Sequence, residues 1–83
     1  GIRVTAGEAG APLPGLTGRD PHLEASLRFL MERFADTADP RIAAAIVHHL
    51  RLATGLAEIR RNPGLLAFYR SKIRLWRLLS EGE

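Results

Sequence analysis

The stretch DPRIAAAIVHHLRLATGLAEIRRNP, residues 39–63, decides how this chain folds. It opens on Asp39-Pro40 and closes on Asn62-Pro63. An Asp or Asn side chain can accept hydrogen bonds from the unpaired N–H groups of a first helical turn. Proline suits the first helical position, because its missing N–H would be unpaired there and its φ is already helical. The residue before a proline is driven out of the α region, so each pair also ends what precedes it. A third pair, Asp20-Pro21, stands upstream. An apolar run with helical spacing begins within three residues of each pair, which predicts helices over about 21–36, 40–61 and 63–80. The fold class is all-α, a small three-helix bundle.

At about 100° per residue, the helix over 21–36 puts Leu23, Leu27, Leu30, Met31 and Phe34 on one stripe. Phe29 falls nearly opposite it, beside Arg33. The helix over 40–61 has the widest apolar arc: Ile42, Ala45, Ile46, Leu50, Ala53, Leu56 and Ala57, with Leu52 and Ile59 at its edge. Such an arc marks the central member of a bundle, touching both neighbours. Gly55 lies on its polar side and weakens the helix there. The helix over 63–80 carries Leu65, Leu66, Phe68, Tyr69, Ile73, Trp76 and Leu79 on a broad face. Lys72 lies among these and must extend its ammonium past them. The predicted core is Leu27, Leu30, Phe34, Ile46, Leu50, Ala53, Tyr69, Ile73 and Trp76.

Residues 1–19 hold five of the eight glycines and two of the five prolines, show no sustained period, and read as a flexible tail. The domain is then residues 20–83, near the lower size limit for a self-sufficient core. With no cysteine, neither a disulfide nor a thiolate metal site can support it, and a reducing, cytoplasmic location is expected. Gly1 in place of a methionine reads as a processed end, a tag remnant or a fragment. The opening lacks a basic segment followed by an apolar core, so no secretory signal is read there. The most apolar stretch, Ile42 to Leu56, is too short and too polar to span a bilayer.

Charge is unevenly spread. Residues 1–39 carry four Arg against six Asp/Glu, net −2, whereas residues 40–80 carry eight Lys/Arg against Glu58 alone, net +7. Arginine outnumbers lysine eleven to one, which fits the codon bias of a GC-rich genome. Arg60, Arg61, Arg70, Arg74 and Arg77 are the candidate contacts for a partner or for nucleic acid. The last three stand at i, i+4 and i+7, one stripe of the helix. Phosphate neutralisation by such a patch would give salt-sensitive nucleic-acid binding. The junction Arg61-Asn62-Pro63-Gly64 loosely satisfies a helix-turn-helix. Against that, the last helix spends most of its circumference on apolar residues.

Enzyme chemistry has little support. The sequence has no cysteine nucleophile and no Gly-x-Ser-x-Gly, and its glycines match no phosphate-binding fingerprint. Ser26 follows His22 by four residues without a third group placed to orient the histidine. His48 and His49 are adjacent, so their rings diverge by about 100° and cannot easily share one ion. His49 reads as a core histidine bonded to a backbone carbonyl or an acidic group. No cofactor, metal or catalytic residue is assigned. The expected function is a non-catalytic helical protein–protein interaction or regulatory module that pairs with itself as a homodimer through Phe29, Phe68, Leu75 and Leu78. The alternative is a nucleic-acid-binding regulator using the basic face.

Overall fold

A computed structural model of the chain describes residues 12–81. Four helices are present among them: α1 (Pro21–Thr37), α2 (Pro40–Thr54), α3 (Ala57–Arg60) and α4 (Pro63–Ser80), with no strand. The all-α bundle read from the sequence is the fold, and each long helix begins at its proline. The caps work as the residue types require. Asp20 Oδ1 accepts from the Leu23 N–H at 3.0 Å, and Asp39 Oδ1 from the Arg41 N–H at 2.9 Å. Asn62 Oδ1 accepts from both Gly64 and Leu65 N–H, at 3.0 and 3.2 Å. α1 closes with Ala38 in the left-handed region (φ 51°), its N–H donating to the Phe34 carbonyl at 2.8 Å. Glycine would hold that conformation without the steric cost that alanine carries.

α2 is central and packs against both long neighbours, as its wide arc implies. α1 and α4 meet through side chains: Phe34 stands edge-on to Trp76, ring centroids 5.2 Å apart. Of the predicted core, Leu27, Phe34, Ile46, Leu50, Ala53, Tyr69 and Trp76 are buried, and Leu30 and Ile73 are half-buried. Ala43 and Val47 are buried too, which widens the inward arc of α2. The Trp76 indole N–H has no hydrogen-bond partner among the described residues.

Two expectations change. The helix over 40–61 is broken at Gly55–Leu56. Thr54 Oγ1 donates back to the Arg51 carbonyl at 2.7 Å, Gly55 adds the weakest non-proline helix propensity, and Leu56 is extended (φ −73°, ψ 140°). One further turn, α3, follows. The break changes which residues face inward: Ile59 is fully buried and Ala57 is exposed, the reverse of an unbroken helix.

The second change concerns the segment read as a tail. Residues 1–11 lie outside the described residues, but 12–19 form a turn packed on the core. Leu13 and Leu16 are buried, at 3% and 0% exposure. The Leu16 carbonyl accepts from both Arg19 and Asp20 N–H, and Tyr69 Oη donates to the Pro14 carbonyl at 2.7 Å. Gly15 has φ +84°, and an added Cβ would come within 2.6 Å of Ile59 Cδ1. The positive φ favours glycine here, and a larger residue would also have to displace the end of the Ile59 side chain. Apolar burial outweighs the flexibility that Gly and Pro suggest: each Leu side chain removed from water contributes about 1.5–3 kcal/mol.

Candidate interaction face

The outer side of α4 opposes its buried side by construction. Tyr69, Trp76 and Leu79 turn inward, and at about 100° per residue Arg70, Arg74 and Arg77 fall on a separate stripe roughly 80–140° around the helix from Tyr69. All three arginines are exposed. The turn at Arg61–Asn62 then brings the end of α3 back beside the first half of α4. There Thr54, Arg60, Leu66, Arg70 and Ile73 line a groove of about 480 Å³. Its wall combines two guanidinium groups with two half-buried aliphatic side chains. A second, shallower hollow of about 320 Å³ lies at the far end of α4, between Arg74, Arg77, Leu78 and Glu81.

Ion pairing elsewhere leaves these arginines unmatched. The described pairs are Arg19–Glu58 at 3.3 Å, Arg28–Glu24 at 3.6 Å and Arg41–Asp39 at 3.0 Å. Hydrogen bonds from Arg41 hold the Asp39 carboxyl below its ordinary pKa. None of Arg60, Arg61, Arg70, Arg74 or Arg77 has a carboxylate partner among the described residues. Arg60 and Arg70 therefore share the groove, and Arg74 and Arg77 share the second hollow with Glu81.

The residues expected to mediate pairing are dispersed. Phe29 stands outward on α1, at 61% exposure, and Leu78 outward on α4, at 50%. Leu78 belongs to the arginine side, lining the hollow with Arg74 and Arg77. Phe68 and Leu75 are half-buried against the core on another edge of α4, and Lys72 Nζ sits over the Phe68 ring, 5.5 Å from its centroid. Sequence reasoning missed the groove itself. Its signal was the pairing of Arg60 with Arg70 across a turn, which becomes visible only once the break at Gly55 is placed.

The histidines lie elsewhere. His49 Nδ1 is 2.7 Å from the Ala45 carbonyl, which can only accept, so that nitrogen carries the proton. His48 is exposed, its ring perpendicular to that of His49 at 5.7 Å. Asp20, His22, Leu23, Ser26, His49, Leu52 and Leu56 border a hollow of about 400 Å³ between α1 and α2. Asp20 is engaged as the cap of α1, and no hydrogen bond joins His22 to Ser26 among the described residues. No described helix is long and apolar enough to cross a membrane.

Comparison with protein-family models, with curated proteins and with solved structures finds no match.

Proposed function

We propose that this chain is a non-catalytic helical interaction module that binds an acidic protein surface through the outer side of α4 and the end of α3, and that it self-associates. The observation that carries this reading is the groove: Arg60 and Arg70 line it together with Leu66 and Ile73, and neither arginine has a carboxylate partner among the described residues. A guanidinium fork suits bidentate pairing with carboxylates. An aliphatic wall between two such forks suits a partner that alternates acidic and apolar side chains, as amphipathic helices do. A cytoplasmic location belongs to the same proposal and is supported by a chain without cysteine.

Nucleic acid is the second reading, favoured by the same five unpaired arginines, since phosphates would also satisfy them. The start of α4 argues against sequence-specific duplex recognition. A recognition helix contacts base edges with its N-terminal residues, and here Pro63, Gly64, Leu65, Leu66, Ala67 and Phe68 carry no side-chain donor or acceptor.

The test is binding of a labelled amphipathic peptide of alternating glutamate and leucine faces, beside a defined DNA duplex, at about 50 and about 200 mM salt. Peptide binding that weakens when Arg60 and Arg70 become glutamine supports the module. Duplex binding that falls steeply with salt, without peptide binding, replaces it with the second reading.

A further inference from the structure

Resting on that reading, we infer that the Arg60–Arg70 groove takes the outer face of α1 of a second copy, with Phe29 as the inserted side chain. The two surfaces are complementary in three respects. Phe29 is the most exposed large apolar side chain among the described residues, at 61%. On the facing side of the proposed contact, Leu66 and Ile73 line a concavity of about 480 Å³. A phenyl ring needs far less, since a cavity of roughly 150 Å³ holds benzene. The charges also match. Glu32 and Asp36 lie within about 60° of Phe29 around α1, and neither has an ion-pair partner among the described residues. Arg33 shares that face, so the arrangement must set Glu32 and Asp36 against the guanidinium groups and leave Arg33 at the rim. Residues 21–37 sum to −1 (Glu24, Glu32 and Asp36 against Arg28 and Arg33). Residues 57–80 sum to +5 (five Arg and Lys72 against Glu58).

The inserted residue and the groove cannot meet within one chain. Phe29 stands on the side of α1 opposite Leu27, which is fully buried, while the groove is lined by α3, α4 and the last residue of α2, with no residue of α1. The contact therefore joins two different patches of two copies and leaves each copy with one unused patch. Such a heterologous contact builds a ring or an open row of subunits rather than a two-fold pair.

This arrangement makes a prediction that a two-fold interface does not share. Phe29→Glu removes the inserted side chain, and Arg60→Glu with Arg70→Glu closes the groove by charge. Each variant alone should sediment as a monomer at about 100 μM, where the parent forms species whose mass grows with concentration. An equimolar mixture of the two variants retains one good patch of each kind and should form a one-to-one dimer and nothing larger. Circular dichroism melts should match the parent, because all three positions are exposed. Should the double charge reversal unfold the chain, Arg60→Gln with Arg70→Gln serves in its place.

A parent that stays monomeric overturns the inference, as does a Phe29→Glu variant that associates like the parent. A mixture that stays monomeric while the parent associates also overturns it, pointing to a two-fold interface in which each copy needs both patches, whereas variants that all associate like the parent point to an edge such as that of Phe68 and Leu75. Peptide binding by a monomeric parent would leave the interaction module standing while removing this choice of partner.

Discussion

The inner and outer sides of α4 come from one run of eighteen residues and differ in what completes them. Inward, Tyr69 and Trp76 are fully buried, and the chain itself supplies their surroundings: Phe34 against Trp76, and the Pro14 carbonyl for the Tyr69 hydroxyl. Outward, Arg70, Arg74 and Arg77 border hollows for which the described residues supply no carboxylate except Glu81. The inner side is packed within the chain, with the Trp76 indole N–H left without a hydrogen-bond partner among the described residues, and sets stability. The outer side is exposed, and its arginines have no carboxylate partner among the described residues. Substitutions on the two sides should therefore affect different measurements.

Trp76→Ala attacks the inner side where most area is buried. It should cost about 3–5 kcal/mol, comparable to the whole stability of so small a domain, and urea titration should find the variant largely unfolded. Leu16→Ala tests whether 12–19 belongs to the core. It should cost about 2–4 kcal/mol, and a variant that unfolds at the parent midpoint would return that segment to the flexible class.

Tyr69→Phe removes the bond to the Pro14 carbonyl and should cost about 1 kcal/mol. It also carries a pH signature. Burial, with the nearby charge of Glu24 adding to it, pushes the Tyr69 hydroxyl up to about 12 from its ordinary 10. Between those values the folded chain holds the proton more tightly than the unfolded chain. The stabilisation is therefore complete below pH 10 and is lost as pH rises toward 12. Stability measured across that window should fall in the parent and stay flatter in Tyr69→Phe. Smallest of all, Arg70, Arg74 and Arg77 changed singly to glutamine should each move stability by no more than about 0.5 kcal/mol.

The same contrast shows where sequence reading succeeds. Asp20, Asp39 and Asn62 act through hydrogen bonds to residues two or three positions away, so local chemistry alone places the helix starts. The turn that carries Leu13 and Leu16 is held by residues more than forty positions distant, with Gly15 against the Ile59 side chain and the Pro14 carbonyl accepting from the Tyr69 hydroxyl, and no local pattern encodes this. The break at Gly55 falls between. Its weak residue is visible in the sequence, but the turn is completed by the gain from burying Ile59. The groove inherits that difficulty, because Arg60 reaches Arg70 only after the break has redirected the chain.

The most direct test of the account measures both sides in one variant. Arg60→Gln with Arg70→Gln should leave the urea midpoint at the parent value and weaken binding of the glutamate–leucine peptide by at least about tenfold. Peptide binding undiminished in this variant, with its fold intact, would contradict the claim that the outer side of α4 is the binding surface.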